Sequence, residues 1–335
     1  MGWTIGFFRN ATQETYLKNS GKNARLAQYS IRAFRELTNE LNFSFDRADQ
    51  GTLKIYRDKT GLSDAVTVAR RCAQWDIPFT VLDSKAVAEL EPSLAPISHQ
   101  LTGGIHFPED ISGDAHRFCA ELAAVTDELG ATFHYGTRVN EILKSHHSFR
   151  GIRLASGEEI EADACVVATG VGTPQILKPL GIRVPIEPVK GYSITVDIEN
   201  WHPRPQRPII DEHYHAAVCP LGQRLRVAGT AEFAGFDTQM RPARIQNLHH
   251  LIGELYPQAP NDTGTDNAWT GLRPMTPDGV GIMGESGLKG LYLNTGHGHL
   301  GWTMATGAGR ALSELITERE SRFDLADFSV ERFTG

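Results

Sequence analysis

Leu291-Tyr-Leu-Asn-Thr-Gly296-His-Gly298-His-Leu-Gly301-Trp-Thr-Met304 reads as a short strand, a glycine-rich turn and the opening of a helix. The turn matches G-x-G-x-x-G, a pattern that brings backbone close to a pyrophosphate at a helix N-terminus. The full fingerprint also needs a second parallel strand about 20 residues on, with an acid for the ribose. Here the helix covers about 302–317 and no convincing strand follows, which argues against a pyrophosphate loop. Glycines also let backbone approach a planar ring, and a helix N-terminus favours a ring that gains negative charge, as reduced flavin does. The plainer alternative is a tight strand-to-helix turn without a ligand.

Working outward, the 335 residues carry a net charge of −7, with 40% hydrophobic and 22% charged residues. That is the composition of a globular protein of about two domains. The acidic balance without a Lys/Arg block argues against nucleic acid. No apolar run approaches the ~18–20 residues of a membrane span. Cys72, Cys119, Cys165 and Cys219 are far apart, which excludes C-x-x-C chemistry, and Cys119 and Cys165 read as buried hydrophobes.

Leu26, Tyr29, Ala33, Phe34, Leu37 and Leu41 have helical spacing, so about 22–42 is expected to be one long helix. Another starts at Asp114 and stops at Gly130. Thr132–Tyr135 reads as a strand, Ser156-Gly157 as a hairpin turn, and Ala164–Ala168 as a strand buried on both faces. The stretch 186–235 is strand-rich, and 245–255 is helical. The expected fold class is therefore α/β (α+β), with an incomplete doubly wound domain interleaved with an antiparallel-sheet domain. The sheet-rich domain takes 1–99 and 186–269, the doubly wound domain 100–185 and 270–320, and 321–335 is a tail.

Two further segments carry chemistry. Gly136-Thr-Arg-Val139 and Ala168-Thr169-Gly170 put small residues at strand ends where a ligand can approach. In Gly271-Leu-Arg273-Pro-Met-Thr-Pro277-Asp-Gly279, two prolines stiffen a turn expected to present Arg273, a bidentate partner for a carboxylate. His213 and His215 would share a strand face, but no third ligand is apparent, so no metal site is expected.

Taken in order, Gly103-Gly104, the GTRV and ATG segments, Pro188-Val-Lys-Gly-Tyr192, the GLRPMTPDG turn and TGHGHLGWTM resemble the FAD-dependent D-amino-acid oxidase superfamily. Lys190–Thr195, Thr270–Gly279 and Asn294–Met304 are most similar to the bacterial D-amino acid dehydrogenase small-subunit family. The resemblance implies an FAD enzyme that deaminates D-amino acids by hydride transfer from Cα to flavin, with a respiratory-chain electron acceptor. It implies a cytoplasmic location, or a peripheral one on the inner membrane. It assigns Arg273 to the substrate carboxylate and Tyr214 to the active site. Gly296, His297, Gly298, Leu300, Gly301, Trp302 and Thr303 would lie beside the flavin ring. Val139, Thr169 and Gly170 would lie beside the dinucleotide half.

One departure stands out. The family opens with a strand, a G-x-G-x-x-G turn, a helix and an acid, whereas Trp3–Ala11 already resembles an interior segment. Either the chain is truncated, or a second chain supplies this βαβ unit, and FAD binding by the chain alone is expected to be poor. A glycine- or sarcosine-type amine oxidase and a non-catalytic subunit are the alternatives to be separated.

Overall fold

A computed structural model of the chain describes residues 2–41, 43–260 and 267–333. The strands are β1 (Thr52–Tyr56), β2 (Thr80–Asp83), β3 (Gly103–Phe107), β4 (Val139–Ser145), β5 (Ser148–Leu154), β6 (Glu159–Glu161), β7 (Cys165–Val167), β8 (Glu187–Asp197), β9 (Ile209–Asp211), β10 (Ala216–Leu221), β11 (Arg224–Glu232), β12 (Trp269–Met275), β13 (Ile282–Glu285) and β14 (Leu291–Thr295). The helices are α1 (Trp3–Asn10), α2 (Gln13–Glu40), α3 (Lys59–Cys72), α4 (Ser84–Leu90), α5 (Ala115–Glu128), α6 (Thr173–Leu177), α7 (Pro242–Leu255) and α8 (Gly301–Ile316). The chain divides into two compact units, one of residues 1–42, 125–189 and 273–335, the other of 43–124 and 190–272.

The second unit is organised by an eight-stranded sheet of order β12-β8-β11-β10-β9-β1-β3-β2, and the chain passes between units along β8 and β12. β8 is buried from Pro188 to Val196 because it has a strand on each side. Ile194, Val196, Val218, Leu225 and Val227 pack against Leu248, Leu251, Ile252 and Leu255 of α7, the apolar stripe that 3.6-residue spacing foretells. Lys190 is fully buried on β8, and its Nζ donates to Asp237 Oδ2 and to the Gln239 carbonyl, both at 3.2 Å.

The first unit holds two three-stranded sheets, β13-β14-β7 and β4-β5-β6. β14 runs antiparallel to β13 and parallel to β7. α2 begins at Thr12, whose hydroxyl accepts from the Thr15 N–H, and it packs along α8. The helices meet at Gly307, where a Cβ would lie 2.8 Å from Ser30 Cα, so only glycine allows this approach. Thr306 Oγ1 donates to the Ser30 carbonyl at 2.9 Å, and the Gly307 N–H donates to Ser30 Oγ at 3.2 Å. Phe328 and Val330, near the chain's end, are buried in this unit.

Several expectations change. Residues 1–42 belong with α8 and not with the sheet-rich unit, because α2 uses its apolar face against α8. Residues 100–124 move the other way, because β3 pairs with β1 and β2. The 321–333 segment is part of the first unit, held by Phe328, Val330 and the Arg332–Asp278 ion pair at 2.8 Å. Thr132–Tyr135 forms no strand, since nothing among the described residues pairs with it. β7 is not buried on both faces, for Val166 is 42% exposed while Val167 beside it is buried. Cys119 is exposed on α5, and His213 and His215 sit in a turn before β10.

Candidate functional site

The loop after β14 is shaped by backbone that only glycine adopts easily. Gly296 has φ +73° and Gly298 φ +56°. A Cβ on Gly296 would lie 2.8 Å from Thr276 Cγ2, and one on Gly298 2.6 Å from Met275 Sδ. The loop is thus pressed against the end of β12, where Met275 and His297 form an antiparallel bridge. Leu300 caps α8 without a side-chain hydrogen bond, so the positive end of a 16-residue helix opens at Gly301, Trp302 and Thr303. Trp302 packs edge-on to Phe34 at 5.9 Å, which fixes the helix start against α2.

His297 is held by Asn294, with Nε2 to Oδ1 2.7 Å. An amide oxygen only accepts, so Nε2 carries the proton and Nδ1 of the neutral ring is an acceptor. Nδ1 is shut off from solvent without a hydrogen-bond partner, and burial lowers the ring's pKa to about 4. His297 is therefore a neutral wedge. Gly281 leaves it room, since a Cβ there would lie 2.5 Å from Nδ1.

Arg273 lies on β12 and not in the turn, which begins after Thr276. Proline at 274 is compatible with an outer strand of the sheet, where β12 sits. Arg273 is half-buried, and burial lowers its pKa from the ordinary arginine value, yet a guanidinium keeps its charge at neutral pH. Strand period places Arg273 and Met275 on one side of β12, roughly 7 Å apart. Arg273 and the glycine loop are thus brought together through Met275.

The Ala-Thr-Gly turn joins them from the other side of β14. Thr169 Oγ1 and Thr173 Oγ1 are 3.1 Å apart, Thr173 Oγ1 and Thr295 Oγ1 2.9 Å, and Thr295 Oγ1 donates to the Gly170 carbonyl at 3.4 Å. Gly170 has φ +54° and nothing within 4 Å of a built Cβ, so a ligand can approach its backbone. Val139 starts β4, paired with Leu154, and is exposed. Tyr214 belongs to the other unit. Its hydroxyl donates to Glu254 Oε2 at 3.4 Å, Arg57 stacks over its ring at 5.5 Å, and burial together with Glu254 raises its pKa. Met275, Thr173 and the pairing of Asn294 with His297 were not singled out from the sequence, and only the i, i+3 spacing of the last two could have pointed to them.

A flavin ring fits this loop: glycine backbone for close approach, a helix N-terminus for charge and an orphaned buried imidazole nitrogen. A pyrophosphate finds no strand–G-x-G-x-x-G–helix unit with a following parallel strand among the described residues.

The chain is similar to known proteins along nearly its whole length. The family model described as FAD dependent oxidoreductase matches residues 2–315. A D-amino acid dehydrogenase of Methylobacterium radiotolerans is 40% identical over 333 residues, 99% of this chain and 79% of that protein. One from Allorhizobium ampelinum is 39% identical over 335 residues, 100% of this chain and 79% of that protein. Glycine oxidase from Geobacillus kaustophilus superposes with a TM-score of 0.82 at 24% identity, covering 91% of this chain and 82% of that one. L-proline dehydrogenase from P. horikoshii gives 0.82 at 20% identity, over 92% and 83%. These two show that the mixed helix-and-sheet fold is the one expected. With the family model spanning nearly every element of the glycine-loop unit, the chain belongs to the FAD-dependent oxidoreductase family.

Proposed function

We propose that the protein oxidises D-amino acids to the corresponding imino acids. FAD, when bound, supplies the hydride acceptor for the substrate Cα. The chain's own residues bind, orient and exclude water. Arg273 takes the substrate carboxylate as a charge-assisted bidentate pair. The 296–303 loop, with Gly296, His297, Gly298, Leu300, Gly301, Trp302 and Thr303, carries the ring, and α8 offers its N-terminus to developing negative charge. Thr169, Gly170 and the Val139 backbone serve the dinucleotide half. Tyr214 stays a neutral hydroxyl at neutral pH and is the second substrate-side residue of this reading.

The observation that supports it most is the Met275–His297 bridge, which ties the arginine's strand to the glycine loop. A respiratory-chain acceptor fits a dehydrogenase, and peripheral attachment to a membrane is part of the proposal. No helix among the described residues is long and apolar enough to cross one. A second chain that supplies a βαβ unit is also part of it. In the FAD-loaded protein, D-alanine should reduce an artificial dye acceptor, with glycine and sarcosine much poorer. Arg273→Ala should raise KM at least 30-fold, equivalent to about 2 kcal/mol or more. Equal turnover of sarcosine, or a normal KM in the variant, would overturn the assignment.

A further inference from the structure

Trp269 opens β12, and it is the only exposed aromatic residue in any described strand, at 49%. A ring of that size is ordinarily covered over most of its area. β12 is the outer strand of the eight-stranded sheet, next to β8. Its start is pinned from one face, because Thr270 Oγ1 donates to the Thr238 carbonyl at 2.9 Å. Strand alternation then puts Trp269 on the opposite face, together with Gly271, Arg273 and Met275.

The indole does not stand away from the strand. It leans along it in the direction of Arg273, for a Cβ built on Gly271 would lie 3.0 Å from Trp269 Cζ3 and 3.7 Å from Cε3. A side chain there would push the ring aside, so glycine at 271 is what seats the six-membered edge against backbone. That edge stands over position 271, roughly 7 Å from Arg273 along the strand. One strand face therefore carries, in a row, a half-open indole, a residue without a side chain and a half-buried guanidinium. A carboxylate on the guanidinium has an apolar surface within reach of whatever the rest of the molecule carries.

We infer that Trp269 sets substrate preference: its indole is the floor on which the apolar side chain of the amino acid lies while Arg273 holds the carboxylate. This rests on the role given to Arg273 in the proposed function. An indole face attracts aliphatic groups through the area it covers and through dispersion, with no directional bond. Preference should therefore grow with the length of an apolar side chain and not turn on one functional group. Glycine has nothing to lay on the ring, which agrees with its place as a poor substrate. The indole takes no part in moving a proton or a hydride, so its loss should appear in KM and leave kcat in place. A ring that merely propped up the start of β12 would instead change stability, and would change every substrate alike.

Two measurements on the FAD-loaded protein test this. Calorimetric titration with acetate, butanoate and hexanoate reads binding without turnover. Affinity should rise about 3–4-fold for each methylene that reaches the ring. Trp269→Ala should flatten that rise, while acetate affinity changes less than about 2-fold and the melting temperature stays in place. Gly271→Ala keeps the indole but displaces it, and should cost hexanoate at least about 3-fold with acetate unaffected. In steady-state kinetics on D-alanine, D-norvaline and D-norleucine, Trp269→Ala should raise KM more the longer the side chain, at constant kcat. Arg273→Ala should raise it for all three alike. A flat series in the unaltered protein, a rise that survives both variants, or an equal loss on acetate and hexanoate with a lowered melting temperature would each overturn the inference. A Trp269-dependent rise in the titration without turnover of any D-amino acid would refute the proposed function and leave the indole floor standing.

Discussion

Lys190 on β8 is completely buried, while Val166 on β7 is 42% exposed. Side-chain polarity alone would reverse that order. β8 has β12 on one side and β11 on the other, and the carboxylate of Asp237 satisfies the lysine. Among the described residues, β7 has β14 on one side only. Burial is therefore conferred by neighbouring strands and not by side-chain polarity alone.

Truncating the β8 core sharpens that contrast most. Ile194 is fully buried in the cluster with α7, so Ile194→Ala should lower stability by about 3–4 kcal/mol, measured by urea unfolding. A loss below about 1 kcal/mol would mean that β8 is no better supported than β7.

The pH dependence of the first unit comes next. An unfolded histidine titrates near 6.5, whereas His297 titrates at about 4 because burial disfavours its charge. The unfolded chain thus takes up the extra proton between these values. The contribution is complete above about pH 6.5, declines below it and is gone by about pH 4, for about 3 kcal/mol in all. His297→Asn should flatten that slope in denaturation curves taken between pH 7 and 4. An unchanged slope would mean that the ring is open to water.

Gly298→Val should cost about 2 kcal/mol, from a left-handed backbone and the contact with Met275, and should disturb amide exchange in α8 but not in β10. If exchange in α8 stays put, the loop has slack that the distances do not indicate. The smallest effect belongs to the open edge. Val166→Ala should change the isolated chain's stability by less than about 0.5 kcal/mol. A larger loss would show that β7 is covered in solution, and the comparison with β8 would collapse.

Local pattern carried much of this architecture. The apolar stripe through Phe34 marks the body of α2 while missing its first turns from Gln13, Gly130 ends the turn after α5, and the small residues of α8 anticipate its close approach to Ser30. Long-range facts were not legible. Nothing near Arg273 reveals that it sits on a strand, because proline at 274 reads as a turn until the outer position of β12 is known. Thr132–Tyr135 has strand chemistry, but a ladder needs a second chain segment, which no local signal can report. Tyr214 was placed by resemblance alone, and its partners Arg57 and Glu254 lie far away in sequence.

The burial of Phe328 has a consequence in time. The second unit is fully synthesised once residue 272 has been added, but the first waits for α8 and for Phe328. That interval is roughly 55–60 residues, about 3–12 s at ordinary translation rates. Until α8 is complete at Ile316, α2 has been made and its partner has not. The nascent protein therefore carries an amphipathic helix with its packing face unattended for seconds, and a chaperone that binds emerging chains would find its target there.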